Sequence, residues 1–452
     1  MALLDPLFGS EATTAIFSEH QTLQRMLDVE AALARAEARV GVIPLAAVRP
    51  IESKCKAELF DRRALAESAA TAGNLAIPLV KELTTKVSEI DENAARYVHW
   101  GVTSQDIIDT ALVLQLKDAL AAIQGDLTTL CGKLCRLADK HRSTPCVART
   151  WMQQAVPTVL GLKFAGWLDA LIGHKSRIRT ARREVSVLQF GGSAGTLASL
   201  GSQGLNVATV LAEELRLELP TLPWHAHRDR FAQVATALAL MTGTLGKIAR
   251  DTALLSQTEV AEMSEPHQAG RGGSSAMPQK RNPVDSAIVL AAALRVPALT
   301  SVMLNAMVQE YERGLGGWHA EWETLPEIVR LSAGALRRIS QTMVGLNIDV
   351  DRMRRNLDET HGLIFAEAVT MKLGEQLGRS QAHSALQAAS ERVMHEGKGL
   401  RAVLMEDPQI AGRLTADEMD AVFDPRQYTG AAEQFIDRVI SAERQSTLKE
   451  DT

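Results

Sequence analysis

A chain of 452 residues exceeds what one hydrophobic core of ordinary size organises, so two or three domains or one elongated bundle are expected. Its formal charge of -5 and dispersed basic residues exclude a nucleic-acid footprint, and they leave anion binding to a few local arginines. The four cysteines, Cys55, Cys131, Cys135 and Cys146, lack metal-ligand spacing, and no glycine-rich dinucleotide fingerprint occurs, so neither a metal nor any other cofactor is expected.

In chain order, Met1 to Thr14 lacks the basic start and apolar run of a signal peptide, which predicts a cytoplasmic protein. Shorter helical segments fill the stretch before Thr110. Aromatic residues make up only 4% of the chain, and no period-two alternation bounded by turn residues is evident, which points to an all-α fold. Helical periodicity then runs beyond ordinary lengths over Ala111–His141, Pro157–Gln189, Arg228–Met263, Pro283–Glu312 and Glu321–Leu346. Gly191–Gly204, rich in Gly and Ser, and Leu219–His225, with two prolines, read as loops between them. Ser286–Val308 is the most apolar stretch. Arg295 and Pro297 inside it favour a buried bundle helix over a membrane span, so no membrane association is expected. The long-helix pattern stops near His361, giving expected domains of 1–110, a central bundle over 111–360, and 361–452. Helices of about 30 residues run about 45 Å and need more than one subunit to cover their apolar faces, which predicts a homo-oligomer.

The densest chemistry lies in Gly273–Pro283, GSSAMPQKRNP. Fixing GSSxMPxKxNP at eight positions makes a chance match in such a chain on the order of one in 10⁸. Asn282 as N-cap and Pro283 as first helical residue would start the next helix. Capping explains neither the paired serines nor Lys280. An ammonium beside an amide suits the aci-carboxylate formed when a proton moves at the carbon α to a carboxylate, and Lys280 and Asn282 are assigned that task.

A second motif is Tyr97–Ala111, YVHWGVTSQDIIDTA. Thr103 and Asp106 could form a capping-box-like start to the long helix. A helix N-terminus with free N–H groups and hydroxyls is equally a carboxylate site, with Thr103 and Ser104 as ligands and His99 close by. A third is Arg149–Pro157, RTWMQQAVP.

These three segments resemble the conserved regions of the fumarase/aspartase superfamily, whose members add or eliminate a group across the double bond of an unsaturated polycarboxylate. The likeness covers nearly the whole chain. It includes GSEATTAIFS at Gly9–Ser18, AGNLAIPLVKEL at Ala72–Leu83, ERGLGGWHAEW at Glu312–Trp322 and HGLIFAE at His361–Glu367. The resemblance implies a three-domain fold with a central long-helix bundle and a homotetramer whose active sites draw the three regions from three subunits. It makes Ser274 the proton-transferring residue and places Ser275, Met277, Gln153 and Arg313 at the substrate. Asn74 falls near a position where relatives have a histidine.

Two departures narrow the chemistry. Trp151 stands where the family has the histidine of a Thr-His pair, and Ala287 stands where that histidine's glutamate partner is expected. Lyases that expel water or an amine need a proton donor, since bulk water has a pKa of ~15.7. A carboxylate, with a pKa of about 4, leaves or adds without one. The expected reaction is therefore intramolecular: a small tricarboxylate diene is closed into a γ-lactone by one of its own carboxylates. The alternatives are a lyase releasing fumarate from a succinyl adduct, which Trp151 and Ala287 disfavour, and a homologue that keeps the fold without turnover.

Overall fold

Val113, Leu116, Leu120, Leu127, Leu130, Leu134 and Ala138 are all fully buried, spaced three, four and seven apart along one stripe. That stripe makes Ser104–Lys140 a single helix of 37 residues, about 55 Å long. In this computed structural model, which describes residues 3–267, 270–273, 276–277 and 279–448, most of the chain is helical. The other long helices are Leu160–Val185, Asp229–Leu255, Val284–Asn305 and Gly317–Val344. The all-α class holds.

Two compact units are present, each interleaved along the sequence. One comprises Met1–Leu127, His174–Gly246 and Ile288–Arg338; the other comprises Thr128–Gly173, Lys247–Ala287 and Ile339–Thr452.

In the first unit the helix Glu19–Val40 starts at Ser18, whose hydroxyl accepts from the Gln21 N–H, and ends at Gly41, whose φ of 81° suits a residue without Cβ. It buries Leu23, Met26, Leu27 and Leu33. Arg35 reaches from it to Glu52 and Glu214, tying it to the helices Leu45–Lys54 and Gly204–Leu215.

In the second unit Pro145–Thr150 and Gln153–Val159 pair antiparallel, with a register shift between Ala148 and Arg149. Met263–Ser264 pairs with Asn347–Ile348. Beyond residue 361, helices Ala366–Leu377 and Arg379–Glu396 enclose a core of Val369, Leu373, Leu386, Val393 and Leu404.

Several sequence expectations are corrected. The hairpin was not anticipated, and it shortens the helix expected from Pro157 to one starting at Leu160. The helix expected to reach Met263 stops at Leu255, because Met263 belongs to a strand. The expected loop Gly191–Gly204 ends in a 3₁₀ turn at Ala198–Gln203. Val284–Asn305, expected to be buried, exposes much of its apolar surface: Leu294 is 80% exposed and Leu304 50%. It and Asp229–Leu255 are long and apolar enough to cross a membrane by length and composition alone. Arg295, within Val284–Asn305, pairs with Glu327.

Candidate active site

The first unit gathers the Thr103 region and Arg313. Gly101, with φ of 72°, turns the chain into the Ser104 helix, and a Cβ there would lie 2.4 Å from Leu200 Cδ2. Asp106 in the first turn is buried and accepts from four donors: the N–H groups of Thr103 (3.1 Å), Gly191 (3.0 Å) and Gly192 (2.9 Å), and the ring of His225 (Nε2 to Oδ1, 2.7 Å). The capping box is therefore only half built. Asp106 takes the Thr103 N–H, while the Thr103 hydroxyl accepts from Arg313 Nη1 at 2.6 Å. Arg313 Nε also donates to Gln105 Oε1 at 3.3 Å, and the guanidinium carbon sits 5.9 Å from the Trp318 ring centroid.

Beneath these lies a buried charge cluster. Arg228 bonds Asp109 through Nη1 (2.6 Å) and Nη2 (3.1 Å) and bonds Glu321 through Nε (3.0 Å) and Nη2 (2.5 Å). All three side chains are about 1% exposed. Burial works against the charge of Arg228, but Asp109 and Glu321 outweigh it and keep the guanidinium firmly protonated. Burial pushes Glu321 up to about 7 against the pull of Arg228. Trp318 Nε1 donates to Asp109 at 2.9 Å, and Gln105 Nε2 donates to Asp109 and to the His225 carbonyl.

His99 has a φ of 57°, a left-handed conformation that strains a residue with a side chain. Its Nδ1 lies 2.6 Å from the buried Glu30 carboxylate. Burial alone lowers its proton affinity, but the charge and hydrogen bond of Glu30 reverse this and raise it. Ser104 is half-buried beside Thr103. Asn74 lies just before the helix Ala76–Ser88, and its side-chain oxygen accepts from the Ile77 N–H at 3.2 Å.

The second unit holds the other expected residues. Trp151 and Met152 form a two-residue hairpin turn with φ of 51° and 68°, and Trp151 is 95% exposed. Gln153 follows them, exposed, opposite Thr150. The hairpin is anchored by Arg149, which makes a two-pronged ion pair with Glu262 at 3.0 and 2.6 Å.

In the signature loop the Asn282 N–H donates to the Gly272 carbonyl at 2.9 Å, and Gly273 bridges Arg281. Lys280 is exposed, and its N–H donates to the Met277 carbonyl at 3.1 Å. Ser274 and Ser275 lie outside the described residues. Asn282 is not the helix cap. The first helical bond runs from Ala287 N–H to the Pro283 carbonyl, and the open N–H groups of Asp285 and Ser286 are taken by Glu265 at 3.0 and 2.7 Å. A carboxylate from before the loop thus frees the Asn282 side chain of that duty.

The structure joins Thr103 to Arg313, sets Lys280 and Asn282 close along one chain segment, and places Trp151 and Gln153 at one turn. Sequence reading missed Gln105, Asp109, His225, Arg228, Trp318 and Glu321. One signal was present: Gln105, Asp106, Asp109 and Thr110 form a polar stripe on a face whose continuation is apolar.

A family model described as lyase matches residues 9–298, and one described as adenylosuccinate lyase C-terminus matches residues 362–439. A 3-carboxy-cis,cis-muconate cycloisomerase from Pseudomonas aeruginosa is 52% identical over 439 residues, covering 97% of this chain and 96% of that one. A protein of the same name from Bradyrhizobium diazoefficiens is 52% identical over 440 residues, covering 97% and 98%. The crystal structure of 3-carboxy-cis,cis-muconate lactonizing enzyme from Pseudomonas putida superposes with a TM-score of 0.94 at 49% identity, covering 98% of this chain and 99% of that one.

Proposed function

Since the chain belongs to the lyase family of the fumarase/aspartase superfamily, we propose that it is a cycloisomerase closing 3-carboxy-cis,cis-muconate into its γ-carboxymuconolactone. The observation that carries the reading is the pair of replaced positions. Trp151 offers no proton and Ala287 no carboxylate, so a reaction whose added group is already an anion is the one that these residues leave unhindered.

The substrate carboxylate distal to the carboxy-bearing carbon attacks that carbon. The C–O bond closes the ring, the electron pair of the alkene moves onto the α-carbon, and the carboxylate borne by that carbon becomes an aci-carboxylate. Lys280 and Asn282 hold that charge, and a proton from Ser274 or Lys280 reaches the α-carbon. Arg313, with Thr103 and Ser104, holds a spectator carboxylate. Trp151 and Gln153 border the diene together with Ser275 and Met277, and His99 and Asn74 lie at the edge. Folding the diene so that carboxylate meets alkene supplies a proximity effect, for which effective molarities of about 10⁵ M are available.

A homotetramer is part of the proposal. The apolar face of Val284–Asn305, with Leu294 80% exposed, supports burial against other copies. The three regions would then come from three subunits, as the superfamily resemblance implies. The name shared by the relatives supports breakdown of aromatic acids as the cellular setting, and a cytoplasmic location is part of the same reading.

Loss of ultraviolet absorbance of 3-carboxy-cis,cis-muconate on mixing with the purified protein tests the reading, because closure destroys the conjugated diene. An unchanged spectrum, with fumarate released from adenylosuccinate, would instead favour the lyase alternative.

A further inference from the structure

Arg313 carries four flexible torsions, yet its head is held from three sides: by the Trp318 ring face, by Gln105 Oε1 and by the Thr103 hydroxyl. Each of those groups is itself fixed. Gln105 spends its amide N–H groups on Asp109 Oδ2 (3.1 Å) and the His225 carbonyl (2.9 Å), so only its oxygen can face the guanidinium. Trp318, 5% exposed, is locked by its Nε1 bond to Asp109 Oδ1. Asp109 is clamped in turn by Arg228, whose other edge is held by Glu321. Among the described residues, Arg313 Nη2 makes no hydrogen bond. The chain of contacts therefore leaves one edge of the guanidinium ready for a carboxylate.

We infer that Trp318 and the Arg228–Asp109–Glu321 cluster are positioning residues that aim Arg313 at a substrate carboxylate. The inference rests on the functional reading above and deepens it. Segments 103–110 and 312–322 thus work as one clamp: the second supplies Arg313, Trp318 and Glu321, and the first supplies Thr103, Gln105 and Asp109. Pre-organising an arginine limits the rotamer entropy lost on binding.

A double-mutant cycle tests it on the full-length enzyme. Trp318→Phe keeps a ring under Arg313 but removes the bond to Asp109, and should raise KM about tenfold while kcat stays within about twofold, as expected for lost uniform binding. In an Arg313→Ala background the same substitution should change KM less than about twofold, because the group being aimed is gone. Glu321→Gln provides a second probe with the same expected pattern. Equal KM increases in both backgrounds, or losses confined to kcat, would overturn the inference while leaving the function standing. An inactive wild type would count against the functional reading itself and take the inference with it.

Discussion

Arg313 Nη1 donates to the Thr103 hydroxyl across 2.6 Å, joining residues 210 positions apart. One comes from the start of a long helix and the other from the ERGLGGWHAEW segment, and the fold brings them within one hydrogen bond of each other. Arg313→Ala should lower kcat/KM on the order of 100-fold, about 3 kcal/mol, as for a lost charge-assisted contact. Thr103→Val should cost about tenfold, mostly in KM. Steady-state kinetics check both.

The hairpin tip predicts a trade of stability against activity. Trp151 and Met152 are bulky residues at positive φ in a two-residue turn, where Asn-Gly is the favoured pair. Replacing both by Asn and Gly should stabilise the protein by about 1 kcal/mol. The same change should lower turnover at least about tenfold if Trp151 borders the diene as proposed. Thermal melting and the absorbance assay together read the two effects.

Burial pushes Glu37 up to about 9, with the charge of Glu30 adding to it. Neither Glu37 carboxyl oxygen has a hydrogen-bond partner among the described residues. The unfolded carboxyl ionises near pH 4.3 while the folded one stays protonated, so stability is complete below about pH 4.3 and falls as pH rises toward about 9. By pH 7 the loss is on the order of 3 kcal/mol. Glu37→Met should raise the melting temperature, more at pH 8 than at pH 5.

His99 has the opposite chemistry but the same sign. Its proton affinity is raised in the fold: burial opposes this, and Glu30 prevails. The pair's contribution is complete below the unfolded histidine value of about 6.5 and is lost as pH rises through the folded one. The melting-temperature deficit of His99→Asn should therefore be largest in mildly acidic buffer and shrink toward alkaline pH. A deficit that does not vary with pH would contradict the ion pair.

How much of this was legible follows from the range of each interaction. The long helices announced themselves because their apolar stripe is local, as at Val113, Leu116 and Leu120. The signature loop and the Thr103 segment were legible because their chemistry is packed into consecutive residues. The hairpin was hidden because Pro145–Thr150 does not alternate in burial, because Gln153–Val159 alternates only over its last four residues, and because its turn carries Trp-Met where Asn-Gly would signal one. The Arg228 cluster was invisible for another reason. Asp109, Arg228 and Glu321 lie 119 and 93 residues apart, and no local pattern marks charged groups that meet only after folding.

The most direct test of the central claim is proton NMR of the product formed from 3-carboxy-cis,cis-muconate in D₂O. Intramolecular carboxylate addition with protonation at the α-carbon predicts a γ-lactone whose acetate methylene carries a single deuterium. Recovery of unchanged diene, or of a product lacking the lactone ring, would contradict it.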